Sequence, residues 1–261
     1  MVLSRHAGMG PVLSRFAAIM VACAAPIWAN AAEGPKPAPP QAWSFKGPLG
    51  HFDLAAVQRG YGVYAAVCAT CHGLAQVHFS DLADMGLDSE QVLTLAASWR
   101  VPDGLDAHNH LQYRKGRPDD AFPMPFGSPA AAKAANGGIV PPDLSRMVSV
   151  YPGGADRVYA LLTGFAPDAR HVEGKGFANP YAIGHFTAMP PPWHEGVLHY
   201  ADGTEPTVQQ QARDVTTFLA WVSAPHQDTR HRLGVGAGLY LCFLALLFVL
   251  LNRRVWSDVR K

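Results

Sequence analysis

Cysteine and charge are both scarce in this sequence. The chain of 261 residues has 4 cysteines, and Cys23 and Cys242 stand in hydrophobic segments far from the pair Cys68 and Cys71. A structural zinc site needs a second pair of ligands, so the remote cysteines argue against zinc at Cys68 and Cys71. Charged residues make up 16% of the chain and its formal net charge is +1. This balance excludes a strongly basic nucleic-acid-binding protein.

The sequence also lacks internal repeats and any stretch whose hydrophobicity alternates long enough to predict a major sheet. Its 22 prolines and 25 glycines predict long ordered loops. Helices are indicated by capping residues and by apolar residues at helical spacing. The sequence therefore predicts a mainly α domain with long ordered loops. The predicted helices run from Asp53 to the cysteine pair, from Asp88 or Ser89 through Trp99, and over residues 129–136, 156–163 and 207–222.

The N-terminal segment has the pattern of a secretory signal peptide. Arg5 and Arg15 give a basic start, and residues 16–27 are mostly apolar but too few to span a bilayer. Ala29-Asn30-Ala31 matches a small-x-small cleavage site. The interpretation is a signal peptide over residues 1–31, removed with Cys23 on export.

The C-terminal segment predicts one membrane span. Residues 234–251 carry no charge and cover roughly 27 Å as a helix, which is enough for a bilayer core. Arg253 and Arg254 follow at once, so the positive-inside rule places the C-terminus in the cytoplasm. We expect an external periplasmic domain over 32–232, an anchor helix over 233–252 and a basic cytoplasmic tail over 253–261. This places the chain in a bacterial inner membrane.

Cys68-Ala69-Thr70-Cys71-His72 is the attachment signature of a c-type haem. Thiols at this spacing lie on one helical turn, and each can form a thioether to a vinyl group of the same porphyrin. The adjacent His72 reaches the iron as the proximal ligand. A thioredoxin-like redox pair is the other interpretation, but no βαβ pattern surrounds the motif. The predicted cofactor is one covalently bound haem.

The second axial ligand is not decided by local sequence alone. Met189 stands in Thr187-Ala188-Met189-Pro190-Pro191-Pro192, where prolines fix φ and hold a non-helical loop rigid. Met124, between Pro123 and Pro125, has the same property. Met189 is favoured over Met124, and a histidine ligand or an open iron site is the remaining alternative.

Beyond the haem motif, several further segments carry a family resemblance. These segments are Arg59-Gly60-Tyr61-x-Val63-Tyr64, Ala134-Ala135-Asn136-Gly137-Gly138, Pro141-Pro142-Asp143-Leu144-Ser145, Leu161-Leu162-Thr163-Gly164, Phe177-x-Asn179-Pro180-Tyr181, Ala188-Met189-Pro190-Pro191, Asp202-Gly203-Thr204 and Asp214-Val215-x-x-Phe218-Leu219-x-Trp221. With these segments in this order along nearly the whole mature chain, the sequence is similar to cytochrome c1, the haem subunit of the quinol–cytochrome c oxidoreductase (bc1) complex.

The resemblance implies particular roles for single residues. Met189 would be the sixth ligand of the haem iron, and Met124 would belong to the pocket wall. A basic residue near Tyr113 would meet a haem propionate; we assign Arg114, with Arg117 as the next choice. Some relatives have an extra disulfide in the external domain, and this chain has no cysteines to form one. Its loops must then be held by haem contacts and packing.

The resemblance also implies a function in a complex. The chain would carry single electrons from a Rieske iron–sulfur protein to a soluble cytochrome c, next to cytochrome b in a dimeric complex. It would catalyse no reaction on its own.

Two other functions stay open at this stage. One is a membrane-anchored monohaem subunit of another dehydrogenase or oxidase, although such subunits often carry several haem motifs and this chain has one. The other is a haem enzyme, such as a peroxidase, with an open iron site.

Overall fold

The computed structural model describes residues 34–193 and 198–257. The predicted signal peptide over 1–31, with Cys23, and residues 258–261 of the predicted tail lie outside the described residues. By contacts the chain divides into residues 1–34 and 35–261, and the description concerns the second unit.

Helices dominate the described residues, which confirms the predicted mainly α fold. Short 3₁₀ turns occur at Cys68–Thr70, Phe79–Met85 and Ile183–His185. The α-helices are α1 (Leu54–Ala66), α2 (Ser89–Ala97), α3 (Pro129–Ala135), α4 (Met147–Val150), α5 (Gly154–Thr163), α6 (Val208–Ser223) and α7 (Gln227–Ser257).

The first two helices begin at the predicted positions, whereas α5 begins at Gly154 and not at 156. The Asp53 carboxylate accepts hydrogen bonds from the backbone N–H of Ala55 at 3.0 Å and of Ala56 at 3.4 Å, which satisfies two donors at the start of α1. Asp88 and Gln91 form a reciprocal capping box at the start of α2. These contacts are local in sequence, and the pattern alone was sufficient to predict them.

Two small antiparallel sheets occupy stretches that the sequence indicated as irregular. One pairs β1 (Arg100–Leu105) with β2 (Leu111–Lys115), with Val101 opposite Arg114 and a register shift between Pro102 and Leu105. The other has the order β3-β4-β5, from His171–Val172, Gly176–Ala178 and Phe186–Thr187. Proline and glycine interrupt the alternation in β1, which explains why the hairpin was not predicted.

The core lies where α1 crosses α6. Gly60 on α1 lies against α6 so closely that a Cβ would collide with the carbonyl oxygen of Asp214 and would lie 2.7 Å from Phe218 Cβ. A buried aromatic cluster continues from this crossing; its centroid separations include 5.7 Å for Tyr64–Phe218 and 4.3 Å for Phe79–Phe122. The crossing fixes α1 and therefore the segment that follows it, Cys68 to His72.

The C-terminal helix α7 is the one helix within the described residues that is long and apolar enough to cross a membrane, and its apolar window is not buried. It begins at Gln227, which lies within the predicted external domain and before the predicted anchor segment at 233. Three contacts hold this end to the domain: Gln227 donates to Phe45 O at 2.6 Å, Asp228 accepts from Phe52 N at 3.2 Å, and His231 Nδ1 lies 2.7 Å from Gly50 O.

Candidate cofactor site

The cysteine pair and His72 lie together on one tight turn directly after α1. The backbone N–H groups of Cys71 and His72 both donate to the carbonyl of Cys68, at 3.1 and 2.8 Å. This turn places both thiols and the imidazole within one local unit, as the spacing predicted. Cys68 and Cys71 are half-buried and form no disulfide.

The Cys68 thiol is buried beside a second thiol, that of Cys71. Burial, with a further contribution from Cys71, raises its pKa to about 12, so it is protonated near neutral pH. No cluster of three or more metal-ligating side chains occurs in the part of the chain that the structure describes. The turn therefore does not resemble a zinc site, which would require four ligands.

His72 is oriented by a backbone carbonyl. Its Nδ1 lies 2.8 Å from Pro142 O, and this contact makes Nδ1 the donor of the neutral ring. Nε2 then keeps its lone pair, which is the arrangement found in metal-binding histidines. Burial lowers the pKa of His72, against opposing contributions from the Pro142 hydrogen bond and Asp143. The ring is therefore neutral and ready to bind a metal.

The segment 142–145 fastens the backbone that follows His72. Leu144 N donates to Gly73 O at 2.9 Å, and the Asp143 carboxylate accepts from Ala75 N at 2.7 Å. Ser145 Oγ accepts from Gln76 N at 3.1 Å. In the sequence this segment indicated only the family resemblance, and its role in positioning His72 was not predicted. The signal was present as an Asp-Leu-Ser turn after two prolines, but its partner lies far away in the chain.

The two candidate methionine ligands lie in different surroundings. Met189 follows β5; its side chain is partly buried against the core, and its N–H donates to Thr187 Oγ1 at 3.2 Å. Trp193 Nε1 donates to Leu162 O at 2.7 Å, which holds the proline segment to α5. Met124 is 44% exposed, and its Sδ occupies the space beside Gly73 where a Cβ would collide. Met124 therefore packs against the backbone directly after His72.

Arg114, the residue assigned to a propionate, lies on β2 and faces two carboxylates. Its Nη1 and Nη2 lie 2.6 and 2.7 Å from the two oxygens of Asp120, and its Nε lies 3.2 Å from Asp103 Oδ1. The hydrogen bond from Arg114 lowers the pKa of Asp120 to about 2. The propionate assignment stays a prediction, and it requires Arg114 to serve a further anion besides these two.

The side chains at this site fit the attachment and ligation of a c-type haem. The turn offers two thiols for covalent attachment and one imidazole with a free Nε2, and the proline segment offers a thioether. A haem attached there would bind through residues that the described contacts already hold in place.

Comparison with known proteins gives one family. A sequence model of the Cytochrome C1 family matches residues 43–259. A "Cytochrome c1" of Rhodospirillum rubrum is 36% identical over 250 residues, 89% of this chain and 92% of that protein. A "Cytochrome c1, heme protein, mitochondrial" of Saccharomyces cerevisiae is 38% identical over 236 residues, 88% of this chain and 76% of that protein. A "Cytochrome b/c1" of Bradyrhizobium diazoefficiens is 39% identical over 254 residues, and the chain spans 37% of its length.

Proposed function

The chain belongs to the cytochrome c1 family, and from this premise we propose that it carries one covalent c-type haem as an electron-transfer subunit of a bc1 complex. The observation that carries the proposal is the turn that brings Cys68, Cys71 and His72 together, with His72 Nδ1 engaged by Pro142 O at 2.8 Å. Each thiol would add across one vinyl group, with sulfur bonding to one vinyl carbon and hydrogen to the other. The bound haem supplies a one-electron change between ferric and ferrous iron.

His72 and Met189 are the proposed axial ligands. The free Nε2 of His72 supports the first. The second is supported by the contrast with Met124, whose Sδ is already packed against Gly73. The Met189 segment is held by its own hydrogen bonds, so its thioether would be available to the iron. A methionine ligand raises the reduction potential and closes the iron to substrates.

The proposed path of electrons runs from a Rieske iron–sulfur protein through this chain to a soluble cytochrome c. The chain breaks and forms no substrate bonds on this path, so any quinol chemistry would belong to the assembled complex. One relative carries the name cytochrome b/c1, which supports cytochrome b as a neighbour of this chain. A dimeric complex is proposed from the family resemblance.

The proposed orientation follows from α7. Its apolar stretch is followed by Arg253 and Arg254, and basic residues at the end of a span favour the cytoplasmic side. The domain over 32–232 would then lie in the periplasm of a bacterium and would be anchored by the segment 233–252. This is also the side on which c-type haem is attached.

The test uses the full chain purified from its membranes with the proteins that accompany it. We expect haem that stays with the chain after denaturation, and co-purification with a di-haem cytochrome b and a Rieske subunit. Cys71→Ala should reduce the covalent haem signal, whereas the matched control Cys242→Ala, on the apolar helix, should leave it unchanged. Haem that is extracted completely by acidified organic solvent from the unaltered chain would refute covalent attachment. Recovery with a different dehydrogenase or oxidase would refute the bc1 assignment.

A further inference from the structure

Arg157 on α5 is a buried cation that has no anionic partner within the described part of the chain. Only 8% of the residue is exposed, and its Nε is buried without a hydrogen-bond partner among the described residues. Its Nη1 donates to Lys36 O at 3.3 Å. Among residues 34–193 and 198–257, Arg157 forms no ion pair with a carboxylate.

The acidic neighbour in sequence does not fill this role. Asp156 accepts hydrogen bonds from Trp43 Nε1 at 2.6 Å and from Gln41 N at 2.9 Å, and it pairs with Lys46 at 3.3 Å. Its carboxylate is therefore directed at the N-terminal segment. Besides the Lys36 carbonyl, Arg157 contacts an aromatic ring, since its guanidinium carbon lies 5.9 Å from the centroid of Tyr151.

A buried guanidinium with an unsatisfied N–H is costly, because desolvation is not repaid by a carbonyl and a ring alone. Such a group indicates an anion that is not part of the described chain. Guanidinium matches a carboxylate particularly well, because its planar fork can donate two parallel hydrogen bonds.

The position of α5 suggests which carboxylate this is. On one side, Tyr151 N donates to Met147 O, and Met147 N donates to Leu144 O. Leu144 N in turn donates to Gly73 O, next to His72. On the other side, the carbonyl of Leu162 near the end of α5 holds Trp193 and hence the Met189 segment. The helix that carries Arg157 is therefore linked to the loops of both proposed iron ligands.

We propose that Arg157 is the counter-ion of a haem propionate carboxylate, with the Tyr151 ring stacked on the guanidinium and holding it in place. This inference rests on the proposed function, because it requires the haem. It makes Arg157 a positioning residue that orients the haem edge and adds positive charge near the iron. Arg114 is the weaker candidate, because Asp120 and Asp103 already neutralise it.

The experiment compares Arg157→Met and Arg157→Lys with the unaltered chain, each purified in its complex. Loss of a nearby positive charge favours ferric over ferrous iron, so the midpoint potential of Arg157→Met should fall. We expect about a tenfold shift in the reduction equilibrium, about 59 mV for one electron. The propionate bending mode in resonance Raman spectra should shift as well. Arg157→Lys keeps the charge but loses the planar fork, so it should shift the Raman mode with a smaller change in potential.

Two matched controls test the specificity of the effect. Arg114→Met removes the rival candidate. Arg213→Met removes another arginine that stacks on rings, 5.1 Å from the centroid of Trp43 and 5.5 Å from that of Tyr159, and that donates to Ala42 O and Gln41 Oε1. Arg213→Met should keep the potential and the propionate mode of the unaltered chain, and Arg114→Met should shift both less than Arg157→Met does.

The inference is overturned if Arg157→Met keeps its covalent haem, potential and propionate mode, or if Arg114→Met produces the shifts instead. Should Arg157→Met fail to accumulate, Arg157→Lys decides: a shifted propionate mode supports the inference and an unshifted mode overturns it. These outcomes differ from failure of the proposed function, in which the unaltered chain itself would carry no covalent haem.

Discussion

The guanidinium of Arg59 holds the carboxylate of Asp214 through two nitrogens, with Nε 3.0 Å from Oδ2 and Nη2 3.1 Å from Oδ1. The Asp214 side chain is completely buried, whereas Asp202, which also pairs with Arg59 at 2.8 Å, is 44% exposed. Gln210 Nε2 donates to both oxygens of Asp214 at 3.0 Å. The pair therefore joins α1, directly before the cofactor turn, to α6.

Arg59→Met should destabilise the protein strongly. It would leave the Asp214 carboxylate buried without its cation, and the loss of one partner of a buried pair costs about 3–5 kcal/mol. Thermal unfolding of the purified protein, followed by circular dichroism, measures the effect. Lys46→Met is the control, because Lys46 is 61% exposed in its pair with Asp156 and such pairs contribute at most about 1 kcal/mol. Equal losses in the two variants would contradict the role given to the buried pair.

Gly60 and Gly62 provide a matched pair of substitutions on α1. Gly60→Ala should destabilise the protein by ~2 kcal/mol or more, because the new Cβ would collide with the Asp214 carbonyl and force α1 away from α6. No atom lies within 4 Å of a Cβ built at Gly62. Gly62→Ala should therefore be neutral or stabilise the helix by up to about 1 kcal/mol. Unfolding temperatures of the two variants test this, and a loss at position 62 that matches the loss at 60 would show that the close crossing is not the cause.

Much of the helical fold could be predicted because its signals are local. Asp53 and Asp88 cap helices through residues two or three positions away. The reason for a glycine at position 60 is not local, because it lies in the close contact of α1 with α6. The β1–β2 hairpin was missed because Pro102 and Gly104 interrupt its pattern.

The cofactor site likewise combines features with local sequence signals and features that depend on distant residues. Cys68, Cys71 and His72 are adjacent in sequence, so their spacing was sufficient to predict one turn. The family resemblance of the whole chain was also predicted, and the match over residues 43–259 confirms it. The contact between His72 and Pro142, and the burial of Arg157, depend on residues far apart in the chain. A single sequence carries no local signal for such contacts.

Asp120 should contribute to stability in a pH-dependent way. Its pKa is lowered from 3.8 to about 2, chiefly by the hydrogen bond from Arg114. A carboxyl with a lowered pKa in the folded state stabilises the fold above its ordinary pKa, and this contribution is lost as the pH falls from about 4 to about 2.

Asp120→Asn should therefore cost up to about 1 kcal/mol at neutral pH, and the difference from the unaltered protein should shrink as the pH is lowered towards 2. Unfolding by urea at a series of pH values measures both effects. Asp119→Asn, at the exposed neighbouring residue, is the control and should behave like the unaltered protein. A difference for Asp120→Asn that stays constant from pH 7 to pH 2 would contradict the assigned ion pair.

Met189 and Met124 can be distinguished by two substitutions to leucine, which keep the size and apolar character of the side chain. If Met189 is the sixth ligand, Met189→Leu should bind carbon monoxide when reduced, and its midpoint potential should fall by more than ~59 mV, a tenfold change for one electron. Met124→Leu should keep the low-spin spectrum, because the Met124 thioether is packed against Gly73. The reverse result, with an unchanged spectrum and potential in Met189→Leu and a high-spin iron in Met124→Leu, would exchange the two roles. It would then require the Met124 thioether to leave its contact with Gly73 when the haem is attached.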